Sequence, residues 1–403
     1  MVVSRGALLT LTDQVLSSAT NFVPALFAAH ALSPRAFGTF ALLQASYVLL
    51  IGAVRSGFVE TAVVATTSGS NHRGFPTSCA IWLSIAVLAP MSLVALALSS
   101  QAILLSTVAL GLVVVQDTQR IENLSSGREA DAAVSDLIWL IMIAGIVALC
   151  VIKGWSPDAD TLFQLWAVGA LPGTLAVGLL RRNLVGPRAS LRFVSGERAT
   201  VLTHVGDWAL RQGLTQTTLY VVATAAGLSV VGNIRLAQLL LGPINILFAA
   251  VQLVAMPRVA RAAKDSWDAF RGLLIRLATA QFLLPLMFGL VIVALPLEAL
   301  RLALGDQAVG LKTYLVPQVV LLSVSGAAAT AQIGIKVLRL RLELLRTRVA
   351  TCAVTLASTL VLALALDSAL AALWGLALGS AISAVIWQYI LWTNARQQDY
   401  VEV

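Results

Sequence analysis

The chain has 403 residues, 59% of them hydrophobic and 11% charged, with mean hydropathy +0.89 and a formal net charge of +8. A soluble domain carries about 25% charged residues, so a soluble enzyme is excluded, and so are disorder and coiled coil, which need many charges. The useful unit is the membrane span of about 20 apolar residues, and twelve spans take up roughly 240 residues.

Helices are predicted at 6–31, 36–66, 77–98, 101–121, 132–152, 161–182, 199–225, 229–256, 272–296, 313–335, 346–366 and 368–392. Arg5 before an apolar run, with Ala29-His30-Ala31 after it, has the outline of a cleaved leader. Asp13, Gln14 and Asn21 interrupt the apolar core that a leader needs, so 6–31 reads as a retained first helix. The longest polar connection, 183–198, holds Gly186 and Pro187, and five arginines fall between 181 and 198. It reads as a cytoplasmic linker between an N-lobe (1–182) and a C-lobe (199–392), with a cytoplasmic tail at 393–403. Segments 258–271 and 336–348 read either as plain topogenic charge or as basic amphipathic helices on the inner leaflet, held by anionic lipid.

Basic residues set the orientation, because cytoplasmic loops collect Lys and Arg. With the N-terminus inside, 20 of the 27 basic residues fall on the inner side, Arg120 and Arg348 among them. Only Arg35, Lys153, Arg301 and Lys312 fall outside, and Arg55, Arg211 and Arg235 lie within spans. Both termini are then cytoplasmic and the helix count is even. Trp155 and Trp166 mark the outer interface, and Trp387 and Trp392 the inner one. The 23 arginines against four lysines, with abundant alanine, fit a high-GC genome.

A shift of 194 residues lays Asp13 on Asp207, Gly38 on Gly232 and Gln44 on Gln238. Six helices per half preserve orientation, so the repeats are parallel, related by an axis along the membrane normal. The expected fold is an all-α integral membrane protein of about twelve transmembrane helices in two six-helix lobes related by a pseudo-two-fold.

An ionisable group at mid-membrane costs about 2.5–3.5 kcal/mol, so each one needs a partner, water or a function. Asp13 lies about 12 Å along its helix from Arg5. His204, Asp207 and Arg211 stand at i, i+3 and i+7 on one helix face. Either they form a polar stripe on a central cavity, or Asp207 and Arg211 only neutralise each other. Arg235 lies in the outer third of its helix. Arg55 and Glu60 lie toward the inner end of the second helix, where Arg55 is placed to snorkel. Pro24, Pro90, Pro243 and Pro285 fall inside spans and permit kinks.

The chain has no GxxxxGK[ST], HExxH or HxE…CxxC motif, so neither ATP hydrolysis nor zinc chemistry is expected, and no cofactor. Cys79, Cys150 and Cys352 lack CxxC spacing and read as apolar fillers. The scattered acids Asp158, Asp160, Glu298, Asp306 and Asp367 on short outer loops do not make a glycosyltransferase site. A channel is more simply built from symmetric subunits around a pore.

The stretches DQVLSSATNF (13–22), LSPRAFGTFAL (32–42), VQDTQR (115–120), Gly127-Arg128, DLIWL (136–140), GNIRLAQLLLGPINIL (232–247) and MPRVAR (256–261) resemble the polysaccharide-flippase, Wzx-like branch of the multidrug/oligosaccharidyl-lipid/polysaccharide (MOP) exporter superfamily, whose members include the MATE transporters. The resemblance implies a MATE-like V of two six-helix bundles, no enzymatic activity, and transfer of a polyprenyl-(di)phosphate-linked saccharide from the inner to the outer leaflet. It implies a cationic cavity in which Arg211 and Arg235 contact phosphate, with Asp13, Asp207, His204, Gln44, Gln238 and Arg55 around it. Asp13, Asp207 and Glu60 are the candidates for a coupling proton or Na+. The expected partners are the lipid-linked saccharide, the anionic inner leaflet, and a glycan polymerase or glycosyltransferase, with no nucleic acid and a monomeric chain. Two other readings stay open: a proton- or sodium-coupled multidrug antiporter on the same fold, and a membrane scaffold of a glycan-assembly complex.

Overall fold

The computed structural model describes residues 5–62, 75–97, 101–177, 185–210, 219–220, 222–224, 227–305, 308–338 and 340–399. Every regular element among them is helical. Among the described residues, seven helices are long and apolar enough to cross a membrane, and Phe75–Ala86 and Leu228–Leu240 are shorter apolar helices. The chain divides into two compact units, Met1–Tyr220 and Val221–Val403.

The first unit holds α1 (Arg5–Ala31), α2 (Pro34–Val54), a π-helical turn (Arg55–Glu60), α3 (Phe75–Ala97), α4 (Gln101–Ser125), α5 (Glu129–Lys153), α6 (Ala159–Val168), α7 (Leu171–Val177), α8 (Pro187–Gly196) and α9 (Arg198–Trp208). Local chemistry sets several boundaries. Ser33 caps α2, its Oγ accepting from the Ala36 amide at 3.3 Å, with Pro34 in the first turn. Such a cap satisfies one of the amides a helix start leaves open. Gly154 ends α5 at φ 60°, a conformation glycine reaches without a Cβ penalty. In the middle of this unit α4 packs on α2, α3, α5 and α6. The buried aromatics Trp139, Phe163 and Trp166 cluster beside it, with Tyr47 edge-on to Trp166.

The second unit holds α10 (Leu228–Leu240), α11 (Gly242–Asp265), α12 (Trp267–Ala294), α13 (Leu297–Leu304), α14 (Ala308–Val337), α15 (Arg341–Leu366) and α16 (Ala369–Asp399). Here α14 is central, packed on α10, α11, α12 and α16. Its core joins Val259, Phe270, Leu274, Ala331, Ile335, Trp387 and Leu391. α15 and α16 approach each other closely. A Cβ on Gly375 would lie 2.5 Å from the Ser358 carbonyl oxygen, and one on Gly379 would lie 2.6 Å from the Thr355 Cα. Small residues four apart let two backbones touch where lipid supplies no hydrophobic drive.

The 194-residue repeat has a structural counterpart. α2 begins at Pro34 and α10 at Leu228, so Gly38 and Gly232 are each the fifth residue of their helix, and Gln44 and Gln238 each the eleventh.

Several expectations change. The span 161–182 is broken after Val168, and Pro172, without an amide hydrogen, sits in the first turn of α7. The separate amphipathic helix expected at 258–271 is instead divided between two long helices: α11 ends at Asp265, and Ser266 caps α12 by accepting from the Ala269 amide at 3.1 Å. The segment 336–348 is likewise divided, α14 ending at Val337 and α15 starting at Arg341. Pro243 does not kink a span but opens α11. Trp166 and Trp387 are packed inside the protein, 1% and 2% exposed. Trp387 lies under the Arg348 guanidinium, 5.4 Å from the ring centroid. Arg348 is therefore a buried helix residue rather than a loop charge.

The compact units, which divide after Tyr220, are a separate division from the linker and lobes expected at 183–198, 1–182 and 199–392. Packing accounts for the unit boundary. Trp208 of α9 fills the space a Cβ on Gly52 would need, and Val205 and Val201 close on Gly57. α9 therefore groups with α2, although along the chain it opens the second half.

Candidate functional site

Five charged side chains from four segments meet inside the first unit. α1 contributes Asp13, fully buried. α4 contributes Asp117 and Arg120, one turn apart, α5 contributes Asp136, and the π-helical turn contributes Arg55. Arg120, 4% exposed, is the hub. Its Nη2 donates to Asp13 Oδ2 at 2.6 Å and its Nε donates to the same oxygen at 3.0 Å. The same Nε lies 3.0 Å from Asp136 Oδ2, and Nη1 lies 3.6 Å from Asp117 Oδ1. Arg55 Nη2 donates to both Asp117 oxygens, at 2.7 and 2.8 Å. Gln116 Nε2 donates to Asp136 Oδ1 at 2.6 Å.

The sequence places these groups together through helix period. Gln116, Asp117, Arg120 and Asn123 recur at three- and four-residue steps, so they share one face of α4. That face is buried, against α2 and α5, and Arg120 reaches from it to Asp13 of α1. Just beyond it, Glu122 accepts from the Thr77 amide at 3.2 Å and the Thr77 hydroxyl at 2.5 Å, tying α4 to the first turn of α3.

The charge balance defines the chemistry. Three aspartates face two arginines, one negative charge in excess when all are ionised. Asp13 Oδ1 and Gln119 Oε1 are buried and accept no hydrogen bond. Burying a charge is tolerated only when it is paired, so one further positive charge or proton fits this network. Among the described residues no group of three or more His, Cys, Asp or Glu side chains is placed to hold a metal ion.

The other sequence-predicted residues are dispersed. Arg211 lies outside the described residues. Asp207 lies on α9, its side chain likewise outside the description. His204, also on α9, has its Nδ1 3.2 Å from Thr61 Oγ1. Arg55 does not snorkel, because Asp117 holds its guanidinium. Glu60, exposed at the end of the π-helical turn, accepts from Ser56 Oγ at 3.2 Å. Gln44 is buried on α2. In the second unit Arg235 is half-buried on α10, and its Nη1 donates to Gln238 Oε1 one turn on at 3.4 Å.

The sequence reading missed Asp117, Arg120 and Asp136 as site residues. Arg120 stands at the end of the predicted 101–121 helix, where a basic residue counts toward the inner-side charge. α4 in fact runs on to Ser125. The available signal was the run from Gln116 to Asn123, too polar for lipid yet continuous in helical period.

No protein-family model matches the chain, and no curated protein matches it. Solved structures do. The inward-facing conformation of a multidrug resistance MATE family transporter of the MOP superfamily matches with TM-score 0.68 at 13% identity, over 98% of this chain and 99% of that one. The lipid II flippase MurJ in an inward closed conformation matches with TM-score 0.70 at 14% identity, over 97% of this chain and 87% of that one. A MOP superfamily transporter from Pyrococcus furiosus, described by the reverse polarity of its binding pocket, matches with TM-score 0.62 at 13% identity, over 96% and 94%. At such identities the likeness speaks for the fold, and over nearly its whole length this chain has the all-helical, MATE-like membrane fold of the MOP superfamily transporters.

Proposed function

We propose that this chain is a flippase that moves a polyprenyl-(di)phosphate-linked saccharide from the inner to the outer leaflet of a bacterial inner membrane, by alternating access and with both termini cytoplasmic. The observation that carries the reading is the near full-length likeness of fold to a lipid-linked flippase, MurJ, joined to the Wzx-like motifs of the sequence. Arg211 and Arg235 are assigned to the phosphate, since a guanidinium makes forked, charge-assisted bonds to phosphate oxygens. The polyprenyl tail stays in the membrane while the headgroup passes. A glycan polymerase or glycosyltransferase acts on either side of the step. The buried Asp13–Arg120–Asp136–Asp117–Arg55 network, with its one excess negative charge, is assigned to ion coupling by a proton or Na+; Asp207 and Glu60 are further candidates.

Lipid mass spectrometry on cells depleted of the protein tests the reading. The expected result is accumulation of one polyprenyl-phosphate-linked glycan in the inner leaflet. Unchanged lipid-linked glycans with altered sensitivity to cationic compounds would instead support the second reading, a cation-coupled multidrug antiporter. The net acidity of the buried network and the MATE neighbours are what favour that alternative.

A further inference from the structure

Helix α8 carries a face that the transport reading does not use. It is a ten-residue helix started by Pro187 in its first turn. Its inward stripe is Ser190 and Phe193, both buried. Phe193 packs on the Phe75 ring with centroids 5.4 Å apart, and joins Ala62 and Cys79 in one core cluster. The opposite stripe is Arg188, Leu191, Arg192 and Ser195, at i, i+3, i+4 and i+7, and all four are exposed. Leu191 is 69% exposed between two arginines. On α9, Arg198 and Leu202 are exposed as well, Leu202 at 70%. Glu197, between α8 and α9 in the chain, is only partly exposed and accepts from the Thr200 hydroxyl at 3.2 Å.

The depth of α8 follows from its neighbour. α3 exposes Trp82, Ile85 and Leu93 along its length, a lipid-facing pattern for an apolar helix. α8 packs against the first turns of α3, not its middle. The half-exposed Trp82 donates its indole N–H to the Val185 carbonyl at 3.1 Å, and the Val185 amide donates to Ser78 Oγ at 3.0 Å. A tryptophan with an apolar face and a bonded N–H is the side chain that sits at the headgroup level. These contacts set α8 where α3 enters the bilayer.

We infer that α8 is an in-plane interfacial helix that binds anionic phospholipid, with Leu191 among the upper acyl chains and Arg188, Arg192 and Arg198 on the lipid phosphates. An exposed leucine flanked by arginines is unfavourable in water and well placed at this boundary, where apolar burial and headgroup attraction add. The inference stands apart from any assignment of the transported substrate.

Hydrogen exchange of residues 187–196 in the full-length protein tests it, in nanodiscs of phosphatidylcholine alone and of phosphatidylcholine with increasing phosphatidylglycerol. The expected result is slower exchange as the anionic fraction rises, reversed by high salt. In Arg188→Gln/Arg192→Gln the dependence on anionic lipid should weaken about 25-fold, at about fivefold per arginine. Leu191→Ser should exchange faster in both lipids. Unchanged exchange within α14 controls for folding of each variant. Equal wild-type exchange in the two lipids would overturn the inference. So would retained protection in the double arginine variant, or protection in phosphatidylcholine discs produced by inorganic phosphate alone.

Discussion

Arg120 holds Asp13 at 2.6 Å across 107 residues of chain, with both side chains almost wholly withdrawn from solvent. The pair joins the first helix of the unit to its central one. Arg120→Ala therefore leaves Asp13 and Asp136 buried without their main cation. Breaking a buried pair from one side costs about 3–5 kcal/mol. The expected outcome is a large fall in the thermal midpoint in detergent, followed by tryptophan fluorescence. Arg120→Ala combined with Asp13→Asn and Asp136→Asn should recover much of that loss, since no unpaired charge then stays at the hub.

The net negative charge of the same network predicts a functional effect separable from stability. Asp13→Asn removes the excess charge while keeping an acceptor for Arg120. In proteoliposomes it should fold and bind a short-chain lipid-linked saccharide yet lose the dependence of transport on a proton or sodium gradient. Gradient-dependent transport at the wild-type rate would remove Asp13 from coupling.

Transport should also depend on Arg211 and Arg235. Arg211→Ala/Arg235→Ala is expected to abolish transfer of the lipid-linked saccharide while the thermal midpoint stays near that of the wild type. Wild-type transfer by the double variant would sink the phosphate role given to them.

The contact between α15 and α16 makes a sharp prediction about packing. Gly375→Ala places a methyl group 2.5 Å from the Ser358 carbonyl oxygen, so the helices must separate. Overpacking of this kind costs about 1–3 kcal/mol. Gly145→Ala, on α5 with nothing within 4 Å of its Cβ position, should instead be neutral or gain up to about 1 kcal/mol from helix propensity. Thermal unfolding of the two variants side by side checks the contrast.

Asp158 starts α6 by accepting from the Thr161 amide at 2.8 Å. Hydrogen bonds from the Thr161 side chain and backbone hold its carboxyl below the ordinary aspartate value. A depressed value means that the cap contributes in full above the unfolded-state value and is lost as pH falls through the folded one. Asp158→Ala should cost about 1 kcal/mol at neutral pH. The gap to wild type should narrow below about pH 4, the ordinary aspartate range, and thermal unfolding across pH 7 to 3 measures it.

The residues of α4 show where the sequence could be read and where it could not. Hydropathy separated the spans from the loops because transfer into lipid is nearly a sum over neighbouring residues. The same local sum misled at Arg120 and Arg348. Each lies near the polar end of a helix, and a one-dimensional count cannot tell a charge leaving the membrane from one turned inward to a partner. The turns at Ser266 and at Val337–Arg341 were misread for a similar reason, since a basic run looks amphipathic whether or not a cap divides it. The 194-residue repeat was legible because helix starts are set by local residues, Ser33 and Pro34 among them.

By itself, then, the sequence determined an all-helical membrane chain with an internal repeat, since composition, period and capping act over one helix at a time. Only the tertiary structure decided that Asp13, Arg55, Asp117, Arg120 and Asp136 share one site, and that α9 packs with the first unit. Those outcomes depend on which helix faces meet, and that is set by the joint packing of segments far apart in the chain, 107 residues for Asp13 and Arg120 and 143 for Thr61 and His204, where glycines such as Gly52 and Gly57 admit a neighbour and buried charges demand one.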